Sequence, residues 1–116
     1  MSANRLKKLR HLSFANQRHQ CYYCKHLMWE DNPEAFSRFY GITLKQARLL
    51  RSTAEHLVAQ QDNGGNTPDN VVAAFLWCNQ RRHKGRHRKA PDPETYKRFI
   101  SMRMEKGLWH PVKASR

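Results

Sequence analysis

The chain is short of acid. It carries 9 Asp and Glu against 22 Lys and Arg, a formal net charge of +13. A field of that sign and size fits a polyanionic partner, nucleic acid first, because the basic residues are clustered and aromatics lie among them. Long apolar runs are missing too. The longest falls far short of the roughly 18 residues that a membrane span needs. The basic N-terminus is followed by no apolar stretch of the kind that makes a secretory signal. Cysteine is scarce and odd in number, three in all. That excludes a closed disulfide framework and fits a reducing cytoplasm. There is no internal repeat, and 116 residues set one domain as the expectation. With 39% hydrophobic residues the core is small, and a bound metal would be a useful staple.

What is present reads as an α+β chain. Residues 1–20 hold Arg5, Lys7, Lys8, Arg10, His11, Arg18 and His19 on a thin apolar edge of Leu6, Leu9 and Leu12. They are expected to form a basic arm or short helix against phosphates, or else a solvated terminus. Pro33 opens a helix with Phe36, Phe39 and Tyr40 on its apolar side, and Gly41 ends it. Thr43 and Gln46 make a capping box for a second helix. This insert of about 33–52 reads as scaffold. A short strand is expected over 55–59, a polar glycine-rich loop over 60–69, and a strand or early helix from Val71 to Phe75. Helix should follow from Leu76 to Lys84, with Gly85 as terminator. Asp92 and Pro93 start a last helix that carries Tyr96, Phe99, Ile100 and Met104 inward and closes at Gly107. A basic tail after Trp109-His110-Pro111 completes the region 91–116.

Three groups of residues carry chemistry. Cys21-Tyr22-Tyr23-Cys24 can present two thiolates to one zinc from a tight turn. No thioredoxin-like βαβ pattern surrounds it, so a redox role fits less well. Asn79 and His83 lie four residues apart, one helical turn, hence on one face. Glu55, from the strand before the loop, can join them in a three-point seat for a divalent cation. The oxygen share favours Mg²⁺ or Mn²⁺, and the imidazole also admits Zn²⁺ or Ni²⁺. Neighbours on a strand point to opposite faces, so Glu55 and His56 have different tasks. Glu55 goes to the cation and His56 to an attacking water. Asn70 either holds His56 or ties the loop through backbone hydrogen bonds. The third group is the run Arg81, Arg82, Lys84, Arg86, Arg88 and Lys89, expected to contact phosphates; a solvated charge block is the plainer alternative.

The text Glu55-His56, Gly64-Gly65-Asn66, Asp69-Asn70-Val71-Val72, Cys78-Asn79 and His83, together with Cys21 and Cys24, resembles the HNH endonucleases, the ββα-metal or His-Me finger nucleases. The resemblance covers about a third of the chain. It implies a core of a short β-hairpin and a helix (21–90), surrounded by additional helices. It implies His56 as general base, Asn70 as orienting residue, and Glu55, Asn79 and His83 around one catalytic metal. It implies hydrolysis of DNA phosphodiesters, with 5′-phosphate ends. Many such proteins carry a second Cys-x2-Cys, whose first position here is Phe75. Three thiolates, Cys21, Cys24 and Cys78, then need a fourth zinc ligand, for which His26 and His19 are candidates. Otherwise no zinc binds and Phe75 fills the space as core. Two rivals stand beside the nuclease: a non-catalytic zinc-ribbon-like nucleic-acid-binding module, and a nuclease toxin domain with an acidic immunity partner. Neither base readout nor oligomeric state is written in the sequence.

Overall fold

A computed structural model describes residues 2–84 and 90–112. Five helices and a two-stranded sheet follow one another as α1 (Ser2–Asn16), α2 (Pro33–Tyr40), α3 (Leu44–Arg48), β1 (Ser52–His56), β2 (Val71–Phe75), α4 (Leu76–Arg82) and α5 (Pro93–Glu105). A short 3₁₀ turn, Gln60–Asp62, lies in the loop between the strands. The architecture is mixed α and β, as expected. No helix among the described residues is long and apolar enough to cross a membrane.

Local signals set most of the helix ends. Asn32 caps α2 by accepting the Ala35 N–H, and Gly41 closes it in the left-handed conformation at φ 66°. The Thr43–Gln46 capping box is formed in both directions. Asp92 accepts the Thr95 N–H, and Pro93 occupies the first turn of α5. The C-terminus of α4 lies at His83; Gly85, its expected terminator, lies outside the described residues.

The strands pair antiparallel, with Ser52 opposite Phe75 and His56 opposite Val71. Helix α1 lies across this hairpin. Residues 2–16 therefore form a packed helix, not a loose basic arm. Its apolar contribution is slight: Leu9 and Phe14 are buried, while Leu12 is exposed. Polar groups complete the seat. Ser13 Oγ donates to the Val71 carbonyl, and Gln17 both donates to the Ala73 carbonyl and accepts the Ala73 N–H. Tyr22 N–H also donates to Ala73 O. The outer edge of β2 is thus covered, and a two-stranded sheet gains support that it lacks alone.

Chain β2 passes straight into α4 without a loop. Cys78 and Arg82 share one face of α4, and Asn79 and His83 share the next, since residues four apart stack and adjacent residues diverge by about 100°. One short helix thereby feeds two separate clusters. The core gathers Tyr23, Met28, Tyr40, Leu50, Phe75, Ile100 and Trp109 around the three cysteines.

The loop between the strands leaves no room at Gly64. A Cβ there would lie 1.6 Å from the Val58 carbonyl oxygen and 2.5 Å from its carbon. Gly64→Ala must displace backbone and not a flexible side chain. It is expected to destabilise the chain by at least the ~1–3 kcal/mol of ordinary overpacking. Thermal unfolding of the variant checks this; an unchanged midpoint would mean that the loop lies elsewhere.

Candidate active site and cysteine cluster

Glu55 sits at the centre of the first cluster. It is 1% exposed. Its Oε2 accepts hydrogen bonds from the Tyr23 hydroxyl at 2.8 Å and from Arg82 Nη1 at 2.9 Å. Its Oε1 lies 3.0 Å from His83 Nε2. A buried carboxylate needs such partners, because an unpaired one costs several kcal/mol. Glu55, His56, Asn79, His83 and Lys84 line one cavity of about 340 Å³. Four of the residues that sequence order singled out therefore meet in one place.

Within the cavity the residues divide. Asn79 Nδ2 donates to Thr53 Oγ1 and to the Ala54 carbonyl, both at 3.1 Å. Both amide protons are thus spent on β1, and Oδ1 is left as the atom that can accept or ligate. His56, at the end of β1, keeps away from the Glu55 network. Its Nε2 lies 2.7 Å from Asn66 Oδ1. With the proton of the neutral ring on that bond, Nδ1 carries the lone pair.

Asn70 does not touch His56. Its side chain accepts the Val58 N–H and donates to the carbonyls of Val58 and Gly65. Of the two tasks open to it, it performs the second and ties the loop. The residue that orients His56 is Asn66, which sequence reasoning quoted in the glycine-rich segment but gave no task. Tyr23 was missed altogether. It stands between two thiols with no task of its own in the sequence, and nothing local marks a hydroxyl that reaches a carboxylate 32 positions on.

Arg82 is a correction. It was expected among the phosphate-contacting residues, yet it is 3% exposed. Besides Glu55, it donates to the carbonyls of His56, Leu57 and Pro91. Its guanidinium is spent inside the fold, pinning the exit of β1. Arg81, by contrast, is exposed and stacks 3.7 Å over the Trp77 ring. Lys84 is exposed at the cavity. Arg86, Arg88 and Lys89 lie outside the described residues.

The sulfurs of Cys21, Cys24 and Cys78 form the second cluster, all within 4.8 Å of one another and all buried. All three are free thiols. Cys21 Sγ accepts backbone N–H groups from Tyr23, Cys24 and Phe75, and the Trp109 indole donates to Cys78 Sγ at 3.2 Å. Lys25, just after the turn, takes the left-handed conformation at φ 69°. Burial raises all three thiols, and Cys24 and Cys78 stay well above the ordinary range. For Cys21, hydrogen bonds from Cys24, Cys78 and the backbone outweigh burial and hold it well below. Three sulfurs this close together are a donor set that suits a soft or borderline cation, so these residues could hold a metal such as zinc.

Neither proposed fourth ligand joins that group. His19 is exposed and stacks on Phe14 at 4.2 Å. His26 directs Nδ1 to its neighbour's carbonyl, the Leu27 oxygen. Phe75 is fully buried and fills its space as core. Burial and the adjacent His26 ring push His110 down to about 4, so its ring is neutral at pH 7. The two clusters are joined through Tyr23, whose backbone bonds Cys21 Sγ while its hydroxyl bonds Glu55.

No protein-family model matches this chain, and neither a curated protein nor a solved structure does.

Proposed function

We propose that the chain is a divalent-metal-dependent endonuclease that hydrolyses DNA phosphodiesters, with the residues that resemble the HNH motif as its machinery. The observation that carries the reading is the Glu55–His83 contact, in a cavity shared with Asn79 and an unburied His56. Two ligands at right angles around an ion about 2.1 Å from each stand about 3.0 Å apart. The Glu55 Oε1 to His83 Nε2 distance is 3.0 Å, so both fit one cation without rearrangement of the backbone. The hairpin that runs directly into α4 supports the same reading.

Each residue then has a task. His56 Nδ1 takes a proton from water, and the hydroxide attacks phosphorus opposite the leaving oxygen. Asn66 holds the ring in the tautomer that leaves Nδ1 free. Glu55 and His83 would hold the cation, His83 through the Nε2 lone pair in place of its bond to Glu55. Asn79 Oδ1 is the third donor. When bound, a divalent cation supplies charge stabilisation for the phosphate and the leaving oxygen. Tyr23 and Arg82 hold the Glu55 carboxylate still.

Glu55 is the only acid lining this cavity among the described residues, and Arg82 shares its charge. The protein alone thus offers little net negative charge. Mg²⁺ and Mn²⁺ suit such a site, because they keep several waters and take phosphate oxygens as ligands. Arg81 and Lys84 would hold the backbone of the bound strand, with an affinity that falls as salt rises.

Digestion of supercoiled plasmid with Mg²⁺, Mn²⁺ and chelator in parallel tests the proposal. Nicking or linearisation is expected with metal and none with chelator. His83→Ala should cut slowly at low metal and recover in part as metal is raised. Cleavage that is indifferent to chelator, or none with any divalent ion, would overturn it.

A further inference from the structure

The three-cysteine cluster lacks a fourth ligand from the segment that supplied the candidates. The structure points to one in the segment after α5. His110 follows Trp109, whose indole N–H already rests on Cys78 Sγ. Its Nε2 is buried and has no hydrogen-bond partner. Leaving such an atom buried and unsatisfied is costly, so it calls for an explanation. The His110 ring meets the Phe75 ring edge-on at 5.6 Å and lies 4.9 Å from the His26 ring. Phe75 is also the residue whose backbone N–H donates to Cys21 Sγ. The residue that carries the orphaned nitrogen therefore packs on Phe75 and directly follows Trp109, two residues that themselves donate to the sulfurs.

We propose that His110 is the fourth protein ligand of a Cys3His zinc site with Cys21, Cys24 and Cys78. Zinc in structural sites is held tetrahedrally by four such groups, and Cys3His is among the usual sets. His110 Nε2 is not within 4.8 Å of all three sulfurs, so binding draws the ring inward. Trp109 to Val112 lies beyond the end of α5, outside any regular element, and can follow without breaking a helix. Binding converts the thiols to thiolates and releases their protons. It also ties three distant parts together: the 21–24 turn, helix α4 and the segment after α5. The site is independent of the cleavage reading, because no part of it enters the cavity at Glu55.

His26 is the competing ligand, because its Nδ1 bond to Leu27 O leaves Nε2 free. Water is the other alternative. The test uses zinc analysis of the full chain and the visible spectrum of its cobalt-substituted form. Wild type is expected to hold one zinc and to show the intense bands of tetrahedral cobalt bound by three sulfurs and one nitrogen. His110→Ala should shift these bands and weaken zinc binding by more than about a hundredfold, beyond the ~10–100-fold loss caused by changes to groups that only support a ligand. His26→Ala should leave spectrum and affinity unchanged. His110→Cys, which keeps four ligands if His110→Ala proves too unstable to purify, should restore tight binding with a four-sulfur spectrum. An unchanged spectrum in His110→Ala, a change in His26→Ala instead, or no bound zinc and no cobalt bands in wild type would each overturn the proposal.

Discussion

His56→Ala is expected to abolish plasmid cleavage while leaving DNA affinity nearly intact. A positioned general base contributes typically ~10²–10⁴-fold to a rate, and the one other imidazole lining the cavity is assigned to the cation. His83 is engaged with Glu55 at 3.0 Å. Affinity should survive because Arg81 and Lys84 remain in place. Nicking of supercoiled plasmid, alongside a binding titration, checks both halves. Retained nicking would remove His56 from the mechanism. Lost affinity would mean that the ring holds the strand and does not activate water. Asn66→Ala should give a smaller loss of rate in the same direction, since it frees the ring without removing it.

Arg82→Ala is expected to cost the most stability of any single change on α4. It leaves Glu55 buried with only Tyr23 and His83, and it strips a donor from three carbonyls at once. Removing one partner of a buried ion pair typically costs ~3–5 kcal/mol. For a chain of this size that is a fall in Tm of roughly 10–20 °C. Arg82→Lys should recover part of it, because a single ammonium cannot span Glu55 and the carbonyls together. Arg81→Ala, one residue earlier, should barely move Tm but should lower DNA affinity and flatten its salt dependence. Thermal unfolding of both variants separates the two arginines. An unchanged Tm in Arg82→Ala would place that residue back on the surface with its neighbours in the basic run.

That pair of neighbours shows where sequence reasoning stops. Six basic residues in a run of nine look alike by composition, and only the fold tells which one turns inward. Arg82 turns in because it follows Cys78 by four positions, on the face of α4 already committed to the core. Helix ends, by contrast, were legible, because caps are local: Thr43 with Gln46, Asp92 with Pro93, and Gly41 each act within a few residues. Helix α1 was only half legible. Its burial rests on Leu9 and Phe14 and on polar bonds from Ser13 and Gln17, and hydrophobic periodicity does not record polar bonds.

The candidate site divides in the same way. Glu55, His56, Asn79 and His83 were readable because their order and spacing on a strand and a helix bring them together. Tyr23 was not, since its bond to Glu55 spans 32 positions. Asn66 was visible only as part of a glycine-rich loop, and its partner was assigned to Asn70. The C-terminal Trp109 and His110 read as the start of a tail, although Trp109 is core and its indole rests on a sulfur.

The account stands on Glu55 and His83 being the seat of a divalent cation, with His56 beside it. Titration of Mn²⁺ into the protein, followed by the imidazole resonances in NMR, tests this most directly, because paramagnetic broadening reports proximity even at weak occupancy. The His83 ring should broaden first and the His56 ring next, while His19, exposed on the far side of Phe14, stays sharp. Broadening that spares His83, or that spreads evenly over all the histidines, would contradict the account.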